Sequence, residues 1–319
     1  MGDNREVNRR HFLKIAPAVG LLAGCGKSSR IRLALNWKPD PQFGGFYAAQ
    51  FNGAFSRRNL DVEILQGGAG TPTVQMVGAG SAEFGISSAD EVIVARARGN
   101  DVVAVFAVYQ NNPQGIMVHA SRRLESIGDV FKEGTIALQR GLPYARILEK
   151  RYGFDKVKVA PSPGGDLSVF LSDENFAQQC FVFVEPLAAR KKGADVKVFA
   201  VMDAGYNPYT GVMITSGDML RKQPDRVAAM VAAAREGWRA YLDDPKPTNQ
   251  KMRELNPTMD QATFDEIAEA QKPFVETEET RKNGLGVMTR ERWATLAGQL
   301  KDLGDIAQEP PPEECFRAF

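Results

Sequence analysis

The sequence predicts an α/β fold with two lobes, each a mostly parallel sheet flanked by helices. The main observation is an alternation of short apolar strands and helical segments from residue 31 to about 109, which starts again at about 135. The second observation is size, because 319 residues with 43% hydrophobic content suffice for two lobes of ordinary size. In an open parallel sheet, ligands bind at the carboxyl ends of the strands, so the fold class also predicts where a site lies.

The first lobe is predicted from residues 31–112. Its opening strand alternates in its side chains over Ile31–Asn36, and a proline-containing loop separates this strand from a helix that starts at Gly44. Three more strands are predicted, with the sequences DVEILQ, EFGISS and VVAVFAVYQ. Thr71 is expected to cap the second helix, and Asp90 opens the third. The order of strands and helices is the pattern of a parallel sheet.

The second lobe is predicted from residues 113–212, after which residues 213–319 return to the first lobe. The segments GTIALQ, VKVAPS, QQCFVFV and VKVFAV are its strands, with helical segments between them. The chain would cross between the lobes twice, through Tyr109–Val118 and through Tyr206–Ile214. Two crossings of this kind act as a hinge.

Beyond residue 216 the sequence predicts mainly helices. Trp238 and Trp293 occupy apolar positions at helical spacing, which predicts that they pack in the core. The end of the chain, PPPEECFRAF, is predicted to be irregular because of its prolines. Cys180 lies in an apolar run and is predicted to be a core residue, although a disulfide with Cys315 stays open.

The first 24 residues have the pattern of an export signal. A twin-arginine segment covers Asn8–Lys14, a short apolar run follows, and the quartet Leu22–Cys25 is similar to a lipobox. The apolar run is too short to cross a bilayer. We therefore expect Cys25 to be lipidated, residues 25–30 to form a tether, and the exported protein to be held at the cell envelope.

The composition disfavours several classes of partner and site. The formal net charge is +1, which gives little electrostatic drive for binding nucleic acid. The two histidines are His11 and His119, so neither a histidine-based metal site nor a histidine-assisted triad is expected. No cofactor is predicted, and the protein is expected to be a monomer.

Polar and aromatic side chains gather where predicted strands give way to helices. Trp37 directly follows the opening strand, and an indole there can stack on a planar ligand. Glu185 follows the apolar FVFV run, where its carboxylate can accept hydrogen bonds from a ligand amine. The candidate ligand-binding residues are Asn36, Trp37, Tyr47, Gly68, Ser87, Ser88 and Asp90 in the first lobe and Gln139, Tyr144, Gly165, Asp166 and Glu185 in the second.

The segment LNWKPDPQFGGFYAAQ, residues 35–50, resembles the opening of the solute-binding proteins of bacterial ABC importers. The similarity is to the branch that includes binders of thiamine pyrimidine precursors and of nitrate, sulfonates and taurine. It implies a type II periplasmic-binding fold, no catalytic activity, a small-molecule ligand, and a permease and ATPase as partners. In this branch a carboxylate contacts the pyrimidine, and FVFVEPLAARKKGADVKVF is similar to the segment that carries it, which places that role on Glu185.

Several alternatives remain open at the level of sequence. Trp37 can instead close a core, and Glu185, Asp90 and Asp166 can instead cap helices. Arg140 can bind a carboxylate, sulfonate or phosphate or can be solvated. The ligand can be a riboflavin-like ring, a purine or a sulfonate, and the protein can serve a receptor as a sensor. Enzymes of the same fold make the thiamine pyrimidine or act in menaquinone synthesis; the cysteine-rich iron motif and active-site histidine of the pyrimidine-synthesising enzymes are not found in this sequence.

Overall fold

The computed structural model describes residues 30–68 and 70–319. The predicted signal at residues 1–24, the expected lipidation site Cys25 and the tether up to residue 29 lie outside these residues. The strands are β1 (Ile31–Ala34), β2 (Val62–Leu65), β3 (Phe84–Ser88), β4 (Val102–Tyr109), β5 (Gln114–His119), β6 (Thr135–Leu138), β7 (Lys158–Pro161), β8 (Phe176–Phe181), β9 (Val196–Ala200) and β10 (Thr210–Ser216). The α-helices are α1 (Gly44–Phe51), α2 (Thr73–Gly78), α3 (Ala89–Ala97), α4 (Pro143–Tyr152), α5 (Ser168–Ser172), α6 (Glu185–Lys191), α7 (Gly217–Lys222), α8 (Pro224–Asp243), α9 (Lys246–Leu255), α10 (Gln261–Ala270), α11 (Lys272–Val275), α12 (Glu278–Asn283), α13 (Arg290–Asp302) and α14 (Pro312–Cys315).

The strands form two five-stranded sheets with equivalent topology, one in each lobe. The order is β2-β1-β3-β10-β4 in the first lobe and β7-β6-β8-β5-β9 in the second. In each sheet three strands pair in parallel, and one antiparallel strand, β10 or β5, lies between them and the edge strand. The two-lobed α/β fold predicted from the sequence is therefore confirmed. The alternation by itself suggests that β4 extends the parallel pattern directly, but β4 pairs with the returning strand β10 instead.

The chain passes between the lobes after β4 and again before β10. The two crossings are joined by hydrogen bonds: the Asn112 N–H donates to Asn207 Oδ1 at 2.7 Å, and Asn207 Nδ2 donates to Asn111 Oδ1 at 3.2 Å. The predicted boundary between residues 212 and 213 falls inside β10, whose first residue, Thr210, already pairs with the first-lobe sheet.

The core of the first lobe is built around contact between α1 and α8. Trp238 is fully buried and meets Phe46 edge-on, with 5.9 Å between the ring centroids. Trp293 is also buried, at 1% exposure, so the core packing predicted for both indoles is confirmed. None of the helices in residues 30–68 and 70–319 combines the length and apolar content needed to cross a membrane.

Three local features differ from, or complete, the sequence-based expectations. The Thr71 hydroxyl bonds the backbone of Gly68 instead of capping α2, which begins at Thr73 without a side-chain cap. The proline-rich tail contains a short helix, α14, because a proline is tolerated in the first turn of a helix. Cys180 and Cys315 are both buried free thiols, so they do not form a disulfide.

Candidate functional site in the interlobe cleft

The main cleft lies between the lobes, at the carboxyl ends of β1, β2 and β3 on one side and of β6, β7 and β8 on the other. Its volume is about 330 Å³, at the small end of the range for ligand pockets. Nine of the predicted site residues line it: Asn36, Trp37, Ser87, Ser88, Asp90, Gln139, Tyr144, Gly165 and Glu185. The fold thus brings strand ends from both lobes to one cavity.

Trp37 lines the cleft at the end of β1. Its half-buried ring packs against the core of the first lobe, so it is neither fully exposed nor enclosed. The loop after β2 supports this position, because the Gly67 N–H donates to the Trp37 carbonyl at 3.1 Å. A Cβ on Gly67 would lie 2.0 Å from the Leu35 carbonyl oxygen, so only glycine fits there. Next to the indole, the buried Oδ1 of Asn36 has no hydrogen-bond partner.

Asp40 and Glu185 enter the cleft from opposite lobes. Asp40 is 5% exposed, and its two oxygens accept the backbone and side-chain N–H groups of Gln42, both at 2.9 Å. Burial raises the pKa of Asp40 to about 7, the Gln42 hydrogen bonds oppose this, and the nearby negative charge of Glu185 adds to the rise. Burial also raises the pKa of Glu185, whose Oε2 accepts the Phe181 N–H at 2.7 Å.

Glu185 is not the N-cap of α6. It is the first residue of that helix, Val184 occupies the cap position, and the Glu185 carboxylate bonds backward to the end of β8. This arrangement holds the carboxylate at the cleft wall. Gly165 of the same lobe lies close by, since a Cβ there would be 3.8 Å from Glu185 Oε1, an ordinary van der Waals distance.

The start of α3 presents two further carboxylates that are already hydrogen-bonded. Glu91 accepts the Ser87 hydroxyl at 2.6 Å and the Ser88 N–H at 3.1 Å, and so completes the cap of the helix. Asp90 accepts the Ser88 hydroxyl and, at 2.6 Å, the hydroxyl of Tyr206 in the second crossing. Asp90 thus ties the cleft floor of the first lobe to the hinge.

The second lobe contributes a linked set of polar groups. The Tyr144 hydroxyl accepts the Gln139 N–H at 3.0 Å and donates to Gln179. Because Tyr144 is 1% exposed, its ring is not free to stack on a ligand, although the residue lines the cleft.

Three predicted site residues lie outside the cleft lining. Tyr47 is 2% exposed and stacks on Phe51 inside the first lobe, because the phase of α1 turns it toward the core. Gly68 has open space around it, and the close backbone approach occurs at Gly67 instead. Asp166 is used locally, with its carboxylate accepting the Ser168 N–H at 2.9 Å and the Ser168 hydroxyl at 2.7 Å.

Comparison with known proteins places this fold and cleft in a family. The sequence profile of the NMT1/THI5-like family matches residues 40–248. The chain belongs to the NMT1/THI5-like family.

Relatives of this NMT1/THI5-like protein include proteins named as binding proteins and proteins named as synthases. The formylaminopyrimidine-binding protein of Halalkalibacterium halodurans is 23% identical, covering 91% of this chain and 90% of its own. The riboflavin-binding protein RibY of Chloroflexus aurantiacus is 21% identical, covering 90% and 84%. The 4-amino-5-hydroxymethyl-2-methylpyrimidine phosphate synthase of Uromyces fabae is 21% identical, covering 73% and 72%.

A solved structure supports the fold of this NMT1/THI5-like chain. The periplasmic aliphatic sulphonate binding protein SsuA from Escherichia coli superposes with a TM-score of 0.69 over 89% of this chain and 91% of its own, at 14% identity. This likeness concerns the fold, which is that of periplasmic binding proteins.

The cleft of this NMT1/THI5-like protein is acidic. Four carboxylates line it, those of Asp40, Asp90, Glu91 and Glu185, and among the described residues no lysine, arginine or histidine does. Arg140 pairs with Glu149 outside the lining. Among residues 30–68 and 70–319 there is also no group of three or more His, Cys, Asp or Glu side chains placed to hold a metal ion.

Several lining residues were not predicted from the sequence. Asp40 and Gln42 lie between and after two prolines, where no periodic pattern marks a side chain as facing a cleft. Asp40 nevertheless carries a detectable signal, since an acidic residue directly before a proline is a frequent cap, and it caps the 3-10 turn Pro41–Phe43. The remaining unpredicted lining residues are Gly70, Thr71, Glu91, Gln114, Gln179, Cys180, Phe181, Val184, Pro208 and Thr210.

Proposed function

We propose that this protein is the solute-binding component of an ABC importer and that it captures a small planar heterocycle bearing amino groups, such as a thiamine pyrimidine precursor. The ring would stack on Trp37, the lobes would close around it, and the permease with its ATPase would recognise the closed form. With Cys25 lipidated, the protein would remain at the cell envelope, close to the permease.

One observation carries the proposal: a partly buried indole and a lining rich in hydrogen-bond acceptors share a single cleft between two lobes. Trp37 offers an apolar surface for a flat ring, and the unpartnered Asn36 Oδ1 beside it needs a donor. Glu185 adds a carboxylate from the other lobe. A heterocycle with exocyclic N–H groups supplies a stacking face and donors at once.

The same lining disfavours an anionic ligand. A sulfonate or phosphate buried among four carboxylates without a facing cation would be repelled and would lose its hydration. This argues against a sulfonate as ligand, although the fold resembles that of a sulphonate binding protein.

We favour binding over catalysis on the basis of the groups at hand. His119 lies outside the cleft lining, stacked on Phe170 with 4.2 Å between the ring centroids. The Asp90 and Glu91 carboxylates of the cleft are held by Ser87, Ser88 and Tyr206, in arrangements that fix helix α3 and the hinge. The relatives named as binding proteins also align over more of this chain than the fungal synthase does.

The proposal is tested by identifying the ligand and then removing the stacking surface. Mass spectrometry of small molecules that copurify with the protein names the ligand directly, and calorimetry with formylaminopyrimidine, riboflavin, a purine and an alkanesulfonate ranks the classes. We expect an amino-substituted planar ring to bind most tightly.

Trp37→Ala should weaken that binding by about 10-fold or more, because both stacking and apolar burial are lost. Trp37→Phe keeps an aromatic face and serves as the matched control, with most of the affinity retained. A sulfonate as the tightest ligand would refute the proposed ligand class, and unchanged affinity of Trp37→Ala would refute the stacking role.

A further inference from the structure

The four carboxylates of the cleft differ in how well hydrogen bonds compensate their negative charge. Asp90 and Glu91 each accept hydroxyl or amide donors that belong to the fixed start of α3 and to the hinge. Asp40 receives its hydrogen bonds from the neutral residue Gln42, and Glu185 receives one from a backbone N–H. Neither of these two carboxylates forms an ion pair within the described residues.

The positions of Asp40 and Glu185 make this imbalance relevant to a ligand. Asp40 belongs to the loop after β1 in the first lobe, and Glu185 begins α6 in the second, so a molecule between the lobes meets one acid from each side. The two carboxylates are near enough for the charge of Glu185 to disfavour ionisation of Asp40. Lys38, whose positive charge favours the ionised form of Asp40, is exposed and lies outside the lining.

We propose that Asp40 and Glu185 together make the cleft selective for a ligand that carries a positive charge, such as a planar heterocycle with an ammonium or amidinium group. The cation would lie between the two carboxylates while the ring meets Trp37. This inference rests on the proposed function and narrows it: Asp40 becomes a specificity-determining residue, and a neutral ring of the same shape becomes the poorer ligand.

The physical reason is the free-energy cost of burying carboxylates away from water without a counter-charge. Bringing the lobes together around a neutral guest would leave two nearby carboxylates buried without a counter-charge, whereas a cation compensates both and forms charge-assisted hydrogen bonds. Because one acid comes from each lobe, a cation that attracts both carboxylates would also favour closure of the lobes. Selectivity and closure would then depend on the same pair of side chains.

The test uses two ligands that share one ring. 4-Amino-5-aminomethyl-2-methylpyrimidine is an ammonium ion at neutral pH, and its N-formyl derivative is neutral. Calorimetric titration of the purified protein at pH 7.5 should show the amine binding roughly 10-fold or more tightly, since hydrogen bonds between ionised partners are about twice as strong as neutral ones. Asp40→Asn should lose most of this preference, and Glu185→Gln should reduce it.

Asp225→Asn is the matched control. Asp225 is an exposed carboxylate in the first turn of α8, so the variant removes one negative charge from the same lobe without touching the cleft. Its preference for the amine should equal that of the parent. Circular dichroism of each variant establishes that the fold is intact before affinities are compared.

The outcomes separate this inference from the function on which it rests. If the neutral ring binds as tightly as the amine, or if Asp40→Asn keeps the full preference, charge selection is refuted while heterocycle binding stands. If neither ring binds and a non-heterocyclic molecule does, the proposed function fails as well. A cation bound equally well without any ring, such as an alkylammonium ion, would refute the heterocycle and support the role of the two carboxylates alone.

Discussion

The ionised carboxylate of Asp40 destabilises the fold, and the same charge would favour binding of a cationic ligand. It is 5% exposed, and in its surroundings the aromatic rings of Tyr47, Tyr109 and Tyr241 supply no positive charge. Gln42 donates to it, Lys38 lies nearby but in solvent, and Glu185 faces it with a like charge. The ionised form of Asp40 therefore costs free energy in the empty protein, and a ligand cation would relieve that cost.

A stability measurement can detect this cost directly. The pKa of Asp40 is raised to about 7 in the folded protein from an ordinary value near 3.8, so between about pH 4 and pH 7 the folded state holds a proton that the unfolded state releases. Asp40 thus lowers the free energy of unfolding as the pH rises through this window, and the loss is complete above about pH 7. Asp40→Asn keeps the shape without the charge, and we expect it to be more stable than the parent by roughly 2–4 kcal/mol at pH 8.

Urea unfolding of the ligand-free protein at pH 4.5 and pH 8 checks this prediction. The difference between Asp40→Asn and the parent should be small at the lower pH and largest at the higher one, and Asp225→Asn should differ little from the parent at either. An Asp40→Asn protein no more stable than the parent at pH 8 would contradict it.

The sequence predicted the site residues that lie near strand ends. It did not predict those whose position at the cleft depends on the path of a loop or on the face of a helix. Trp37 is the third residue after β1 and Glu185 the fourth after β8, so their place at the cleft follows from the geometry of a parallel sheet. Tyr47 shares the same chain segment, but its position on α1 turns it into the core. Asp40 lies in a proline-bounded loop whose path depends on contacts distant in sequence, such as the Asn256 amide on the Pro39 carbonyl at 2.7 Å.

At the level of elements, α1 and α8 illustrate how glycine sets helix packing. The glycines that open α1 look like a backbone site for an anionic or polar ligand edge, but a Cβ on Gly44 or Gly45 would lie 2.1 or 2.2 Å from ring atoms of Tyr241 or Trp238. Their role is close packing against α8. On the facing helix, a Cβ on Gly237 would lie 2.2 Å from the Gly45 carbonyl oxygen and 2.6 Å from the Ala49 Cβ.

Gly237→Ala should therefore destabilise the protein, although alanine favours a helix. The added methyl group meets backbone atoms that cannot rotate away, so we expect a loss of about 2 kcal/mol or more in the free energy of unfolding. Gly298→Ala is the control, because Gly298 lies within α13 with nothing within 4 Å of the new Cβ. That variant should gain about 0.5–1 kcal/mol from helix propensity alone. Urea unfolding of both variants at one pH gives their free energies of unfolding. Equal changes in the two variants would contradict the packing argument.

The order of elements was predictable because apolar periodicity is local, whereas strand pairing is not. Alternating segments predicted the strands and the two sheets, and they did not predict that β10 enters between β3 and β4. That insertion requires Thr210–Ser216 to pair with two strands more than a hundred residues earlier. No local pattern encodes such a register.

At the scale of the whole molecule, the lobes touch in several places: near the hinge, between α4 and the end of α13, and between α6 and α10. Near the first crossing, Phe183 of the second lobe packs on Tyr109 and Phe274, with 5.7 and 5.2 Å between ring centroids. A separate contact joins α6 to α10, where Lys191 Nζ donates to Thr263 Oγ1 at 2.8 Å and lies 3.1 Å from Glu266 Oε2. Opening of the cleft would separate α6 from α10 and break this polar bridge.

Lys191→Met should therefore shift the lobes toward an open arrangement while keeping the aliphatic stem of the side chain. Because the ion pair is partly exposed, its contribution is at most about 1 kcal/mol, which corresponds to ligand affinity weakened by roughly 2- to 5-fold. The control is Lys192→Met, which removes the same charge from the next position, where the lysine is exposed and forms no ion pair within the described residues. Calorimetry with the pyrimidine amine gives the affinities, and small-angle scattering of the ligand-free proteins gives the radius of gyration, which should increase only in Lys191→Met. If the two variants matched each other in both measurements, the bridge between α6 and α10 would have no role in closure, and the contacts around Phe183 and between α4 and the end of α13 would be left to set the angle between the lobes.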